Sequence, residues 1–195
     1  MTALTISPAQ FDYATRRIRE AGLSDRVAVK LCDYRDERGQ YDRVVSIEMF
    51  EAVGEAYWKT YFEAIAARLR PEGRAALQVI TISEDVFPRY RREMDFIRHY
   101  VFPGGMLPTP SHLEALVEES GFAEPSWRFF GKDYATTCRD WRGRFEANWS
   151  SIAPLGFDER FRRLWRYYLA YCEAGFTAAS EFMRQLVPHQ ANLRI

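Results

Sequence analysis

Tyr41-Asp42-Arg43-Val44-Val45-Ser46-Ile47, running on into Glu48-Met49-Phe50-Glu51-Ala52-Val53-Gly54, is the stretch on which the fold reading turns. Its β-branched centre, Val44-Val45-Ser46-Ile47, suits a buried parallel strand, and the acidic, glycine-ended segment after it suits a tight turn into a helix. Outward on the N-terminal side, residues 2–6 read as a strand tail, residues 8–21 as a helix, and Val27 to Leu31 as a strand ending at Asp33. Outward on the other side, residues 55–70 read as an amphipathic helix, Pro71-Glu72-Gly73 as a turn, and Ala75 to Ile82 as the most apolar strand. This alternation marks a parallel α/β sheet with right-handed crossovers.

Local signals support the boundaries. Ser7 is placed to cap the first helix, Pro8 sits where a missing N–H costs nothing, and Gln10 is spaced to close a capping box. Gly22 suits the helix end. Past residue 84 the pattern changes: a charged helix over about 84–99, then the loop Phe102-Pro103-Gly104-Gly105-Met106-Leu107-Pro108. Thr109 and Pro110 open another helix that ends near Gly121, and residues 125–130 suit a strand. Two aromatic helices follow, over about 134–149 and 156–178, with a last strand near 181–187. The second helix carries Phe161, Leu164, Trp165, Tyr168, Leu169, Cys172 and Phe176 on one stripe.

At 195 residues, with 47% apolar and 15% aromatic side chains, the chain suits one domain with a sizeable core. A net charge of zero gives no bulk electrostatic case for nucleic acid. Basic residues other than Lys30, Lys59 and Lys132 are arginines, whose planar guanidinium suits phosphate-bearing headgroups. The three cysteines, Cys32, Cys138 and Cys172, are odd in number and far apart. They fit a reducing compartment and neither a disulfide framework nor a zinc site. His99, His112 and His189 lack metal-ligand spacing, so no metal is expected.

Five stretches, in order and spacing, resemble the cyclopropane-fatty-acyl-phospholipid synthase family of S-adenosylmethionine-dependent methyltransferases. They are Thr5–Gln10, Asp33-Tyr34-Arg35-Asp36, Ser46–Gly54, Phe102–Pro108 and Asp133-Tyr134-Ala135-Thr136-Thr137. The resemblance implies a Rossmann-like class I methyltransferase sheet with added helices in the C-terminal half. It also implies a first strand and glycine-rich loop for which these residues show no counterpart. The expectation is an N-terminally truncated, incomplete catalytic domain over residues 1–195, its second and third strands lacking the central partner that would join them to the rest.

The activity implied is methyl transfer to the cis double bond of an unsaturated phospholipid acyl chain at the membrane surface, giving a cyclopropane fatty acid. Bicarbonate is the implied base, and a cytoplasmic enzyme peripheral to the inner membrane face is the implied setting, with a homodimer left open for the full-length form. Glu51, Tyr134 and the backbone of Ile80 match positions around bicarbonate. Glu51 also suits a helix N-terminus and Tyr134 a half-buried amphipathic aromatic, but Met49-Phe50 and Val53-Gly54 around the first and the Asp-Tyr-x-Thr-Thr setting of the second favour the functional reading. Gln78 stands where the family commonly has a histidine; an amide holds an anion but carries no proton. That departure keeps a methylene- or methyl-branched product in play, beside a non-catalytic remnant.

Thr5, Ser7 and Gln10 match positions near the cofactor ribose, Asp33-Tyr34-Arg35 the adenine-side turn, and Ser46 and Ile47 positions beside the cofactor. Glu48 replaces a small residue, with a consequence the sequence leaves open. Tyr57, Phe102, Gly104 and Gly105 are candidate walls for the acyl chain, although the two glycines suit a plain turn equally well.

Overall fold

A computed structural model describes residues 1–178 and the backbone of a strand at 181–187. The chain divides into two compact units, Met1–Tyr41 and Asp42–Ile195. The first unit contains strand β1 (Thr2–Thr5), helix α1 (Pro8–Glu20) and strand β2 (Ala28–Leu31). β1 and β2 pair in parallel, with Thr2 opposite Ala28 and Thr5 opposite Leu31. Ser7 caps α1 by accepting from the Gln10 N–H at 3.3 Å. The expected capping box is only half formed, because the Gln10 side chain instead accepts from the Thr5 hydroxyl at 2.8 Å. That hydroxyl in turn accepts from the Ser7 N–H.

The second unit holds most of strand β3 (Tyr41–Ile47), then α2 (Phe50–Val53), a short 3-10 turn, α3 (Trp58–Arg68) and β4 (Leu69–Ile82). Next come α4 (Phe87–Arg92), α5 (Phe96–Tyr100), α6 (Pro110–Glu119), β5 (Ser126–Phe129), α7 (Gly131–Ala147), α8 (Trp149–Ile152), α9 (Glu159–Thr177) and β6 (Glu181–Val187). The four-stranded sheet runs β3-β4-β6-β5, with β6 antiparallel to both neighbours.

Four sequence expectations are corrected. β3 is an edge strand with β4 as its neighbour, so Val45 and Ile47, read as buried, are 67% and 54% exposed. The strand expected from Ala75 already begins at Leu69, with Glu72 at a positive φ of 63° where a turn was read. The expected charged helix breaks into α4 and α5, because Glu93 turns extended and Asp95 opens a new helix by accepting from the Arg98 N–H at 2.7 Å. The last helix starts at Glu159 and not near 156, since Asp158 takes the cap.

Alternation along β4 sorts its side chains. Leu77 and Val79 are buried, whereas Gln78 and Ile80 lie half-buried on the other face. Phe50, fully buried, sits among Tyr61 (ring centroids 5.0 Å), Trp58 (5.5 Å) and Phe62 (5.5 Å). This cluster fixes α2 against α3. Phe50→Ala is expected to cost about 3–5 kcal/mol, the usual penalty for emptying a packed phenyl site. Urea unfolding followed by tryptophan fluorescence measures it, and a loss under about 1 kcal/mol would show that the ring is not the anchor.

Candidate active site

Three carboxyl-, amide- and phenol-bearing side chains converge on β4 of the second unit. Glu48 follows β3 with φ of 50°, a left-handed conformation unusual for a residue with a long side chain. Its N–H is held by the Gln78 carbonyl at 2.9 Å. Its Oε1 accepts from the Gln78 amide at 2.8 Å and from the Tyr134 hydroxyl. The same amide also donates to the Tyr134 oxygen at 2.9 Å, closing a triangle. Tyr134 comes from the first turn of α7, where its ring packs on Phe130 and Phe176. Burial, then the bond to Glu48, pushes its hydroxyl above the usual phenol range.

Glu51, on α2, accepts from the Ile80 N–H at 2.5 Å through Oε1. Its other oxygen is buried and has no hydrogen-bond partner among the described residues. Burial is the main cause that raises this carboxyl to about 7, opposed by the Ile80 N–H and assisted by the nearby Glu48 charge. The loop after α5 closes over the turn: the Met106 N–H donates to the Glu51 carbonyl at 2.9 Å. Gly54 and Gly104 have φ of 79° and 84°, and a Cβ on Gly54 would stand 3.6 Å from the Gly104 carbonyl.

Sequence comparison identifies the family of the chain. Residues 1–186 match the family described as mycolic acid cyclopropane synthetase. The chain belongs to that family. It is 43% identical over 175 residues to the tuberculostearic acid methyltransferase UfaA1 of Mycobacterium tuberculosis, covering 89% of this chain and 41% of that protein. With the cyclopropane-fatty-acyl-phospholipid synthase of Escherichia coli K12 it shares 37% identity over 190 residues, 96% of this chain and 46% of the relative. The chain therefore spans less than half the length of these curated relatives. Among solved structures, the mycolic acid cyclopropane synthase CmaA1 complexed with SAH and CTAB superposes with a TM-score of 0.88 at 23% identity, over 96% of this chain and 69% of that one. The fold is the α/β fold of class I S-adenosylmethionine-dependent methyltransferases.

Of the residues singled out from sequence, the structure joins Gln78 to Tyr134 and Ile80 to Glu51, with Gln78 and Ile80 on one face of β4. Glu48, whose role the sequence left open, is the acceptor at its centre. The fit to bicarbonate is poor: the Gln78 and Tyr134 donors are taken by Glu48, and the Ile80 N–H by Glu51. The 48–51 segment thus supplies two carboxylates where an external anion was expected. Phe102 lies near this site through Tyr168 (ring centroids 6.1 Å), while Tyr57 on the 3-10 turn is 49% exposed. Tyr168 was read only as part of the α9 stripe. Burial, then Cys172, pushes its hydroxyl above the usual range, and the Glu48 charge adds to this.

The residues expected near the cofactor are taken unit by unit. In the first, the carboxyl ends of the parallel pair bring Thr5, Ser7 and Gln10 close to Asp33, Tyr34 and Arg35, with the Cys32 N–H on the Thr5 carbonyl at 2.9 Å. Hydroxyls, an amide, a carboxylate and an aromatic ring at adjacent strand ends fit a nucleoside. Arg35 grips Asp33 at 2.8 and 2.9 Å and holds its carboxyl below the usual range. In the second unit, Ser46 accepts from the Tyr61 hydroxyl at 2.6 Å, and Ile47 is exposed.

The raised Glu51 carboxyl has a consequence for stability. Its unfolded value is near 4.5 and its folded value about 7, so between these the folded state binds more protons. Stability then falls as pH rises through this window. Glu51→Gln keeps an oxygen for the Ile80 N–H and removes the buried charge. It should be the more stable protein at pH 8, by about 2–3 kcal/mol at most, with the difference gone by pH 4. Thermal melts across pH test this; a constant difference would mean that the carboxyl is not the titrating group.

Proposed function

We propose that this chain carries chemistry for methyl transfer to the cis double bond of an unsaturated phospholipid acyl chain, with a methylene-branched product. The observation that carries the reading is the Glu48 carboxylate held by Gln78 and Tyr134. S-adenosylmethionine supplies the methyl group as a sulfonium, and Thr5, Ser7, Gln10, Asp33, Tyr34 and Arg35 are the residues that would hold its nucleoside. A new carbon–carbon bond to one alkene carbon leaves its neighbour a carbocation. Loss of one proton must follow, and the net gain is one CH2 unit whichever bond closes.

Two outcomes compete. Proton loss from the added methyl with direct closure onto the cationic carbon gives a ring. A hydride shift first moves the charge to the branched carbon, and proton loss from the methyl then gives a C=CH2 branch on the open chain. A fixed carboxylate beside electron-rich rings lengthens the life of the cation, which favours the shift. Tyr134, Tyr168 and Phe176 provide such rings, and the buried Phe176 shields one side of the cation from water that would capture it as an alcohol. Glu48 is the proton acceptor in this reading, since Gln78 cannot relay a proton as a histidine would. The similarity to a tuberculostearic acid methyltransferase supports the branched outcome, and the family description supports the ring.

Product analysis after incubation with S-adenosylmethionine and dioleoyl phosphatidylglycerol decides between them. The expected lipid is one CH2 heavier and shows vinylidene protons by NMR. Glu48→Gln should lower turnover at least about 100-fold, the usual scale for a lost general base. Glu48→Gly, compatible with the positive φ, frees the Gln78 and Tyr134 donors; with added bicarbonate it should give cyclopropane protons instead. Wild-type turnover that depends on bicarbonate, unchanged in Glu48→Gln, would overturn the role of Glu48.

A further inference from the structure

The outer face of α9 does not serve the site. Arg160, Arg163, Tyr167 and Tyr171 follow at i, i+3, i+7 and i+11, so they share one side of the helix, away from Tyr168, Cys172 and Phe176. Tyr167 is 53% exposed and Tyr100, on α5, is 55% exposed. Phe96 stitches the two helices into one patch, its ring 4.6 Å from Tyr167, 5.5 Å from Tyr100 and 6.2 Å from Tyr171. Ala170 and Ala174 continue the face, and Glu159 stands on its edge at i−4 from Arg163. The nearest acid on the helix, Glu159, pairs with Arg162, which also binds Glu146.

We propose that this patch seats the protein on the surface of an anionic phospholipid bilayer, the source of the acyl chain in the reading above, on which this inference rests. The charges are complementary: two guanidinium groups suit lipid phosphates at headgroup depth, each worth roughly fivefold in partitioning onto an anionic surface. The tyrosines have apolar rings with polar tips, the side-chain type that settles at that depth. Insertion is shallow, because no helix among the described residues is long and apolar enough to cross a membrane. The patch also leads to the chemistry: α5 runs into the loop of Phe102, which is 54% exposed and rests on Tyr168 of the inner face.

Co-sedimentation with vesicles tests this without turnover. Palmitoyl-oleoyl phosphatidylglycerol vesicles should bind the chain at least tenfold more tightly than palmitoyl-oleoyl phosphatidylcholine vesicles, and less well in high salt. Arg160→Gln/Arg163→Gln should weaken that binding about tenfold or more with melting temperature unchanged, and Tyr100→Ser/Tyr167→Ser should do the same with a small drop in melting temperature, because their contacts to Phe96 go with the rings. Trp141→Ser, a half-exposed aromatic on α7, should not. Equal binding by all variants, or no binding by wild type, would overturn the proposal, as would a wild-type dimer that the variants dissolve while vesicles stay unbound. Methyl transfer to detergent-dispersed phospholipid keeps the two readings apart. Turnover there without vesicle binding refutes the surface alone; patch-dependent vesicle binding without any methylated product refutes the function alone.

Discussion

The burial of one ring, Phe50, decides where both acidic groups of the site stand. Phe50 lies between Glu48 and Glu51, and its place among Trp58, Tyr61 and Phe62 leaves the two carboxylates to face β4. Burying a phenyl ring contributes about 2–3 kcal/mol, before the added worth of its aromatic contacts. The left-handed backbone at Glu48 costs on the order of 1 kcal/mol, and an incompletely satisfied buried carboxyl costs a few more. These terms are of similar size. The turn therefore holds only because the Ile80 N–H, the Gln78 carbonyl and the Gln78 amide recover part of the cost.

Much of this was legible in the sequence, for physical reasons that can be named. Ser7-Pro8, Thr109-Pro110 and the β-branched run at 44–47 are local signals, and local signals survive without tertiary context. The exposure of Val45 and Ile47 is not local: it depends on how many strands lie beside β3, which no residue in that strand encodes. The break between α4 and α5 was within reach, since Asp95 is a cap residue inside a run otherwise read as one helix. At the site, the pairing of Gln78 with Tyr134 joins residues 56 apart in sequence. The resemblance brought those two together; what it could not supply was the direction of the Glu48 side chain, which follows from a positive φ.

Replacing a mobile anion by a tethered carboxylate changes the electrostatics of the centre. An external anion arrives with its own desolvation cost and leaves its donors free between visits. Glu48 keeps the Gln78 amide and the Tyr134 hydroxyl permanently engaged, so the centre is preorganised and its negative charge stays fixed. Glu51, with one buried oxygen unpartnered, is raised to about 7 in part by that charge. Two carboxylates this close divide the work: the exposed one remains available as an acceptor, and the buried one tends to hold its proton.

Helix α9 then faces in two directions with two chemistries. Its inner side gives Tyr168, Cys172 and Phe176 to the apolar surroundings of Tyr134; its outer side gives arginines and tyrosines to solvent. A rigid 19-residue helix spans roughly 28 Å, so both sides are fixed relative to each other with little strain. Ion pairs from Glu173 to Arg139 and Arg142, and from Glu146 to Arg162, clamp it to α7, the helix that also carries Tyr134. Each pair is worth little alone at a surface, yet together they oppose rotation of one helix against the other. Rotation would withdraw the Tyr134 hydroxyl from Glu48. The exposed face of α9 and the contact of Tyr134 with Glu48 are thus held by the same helix pair.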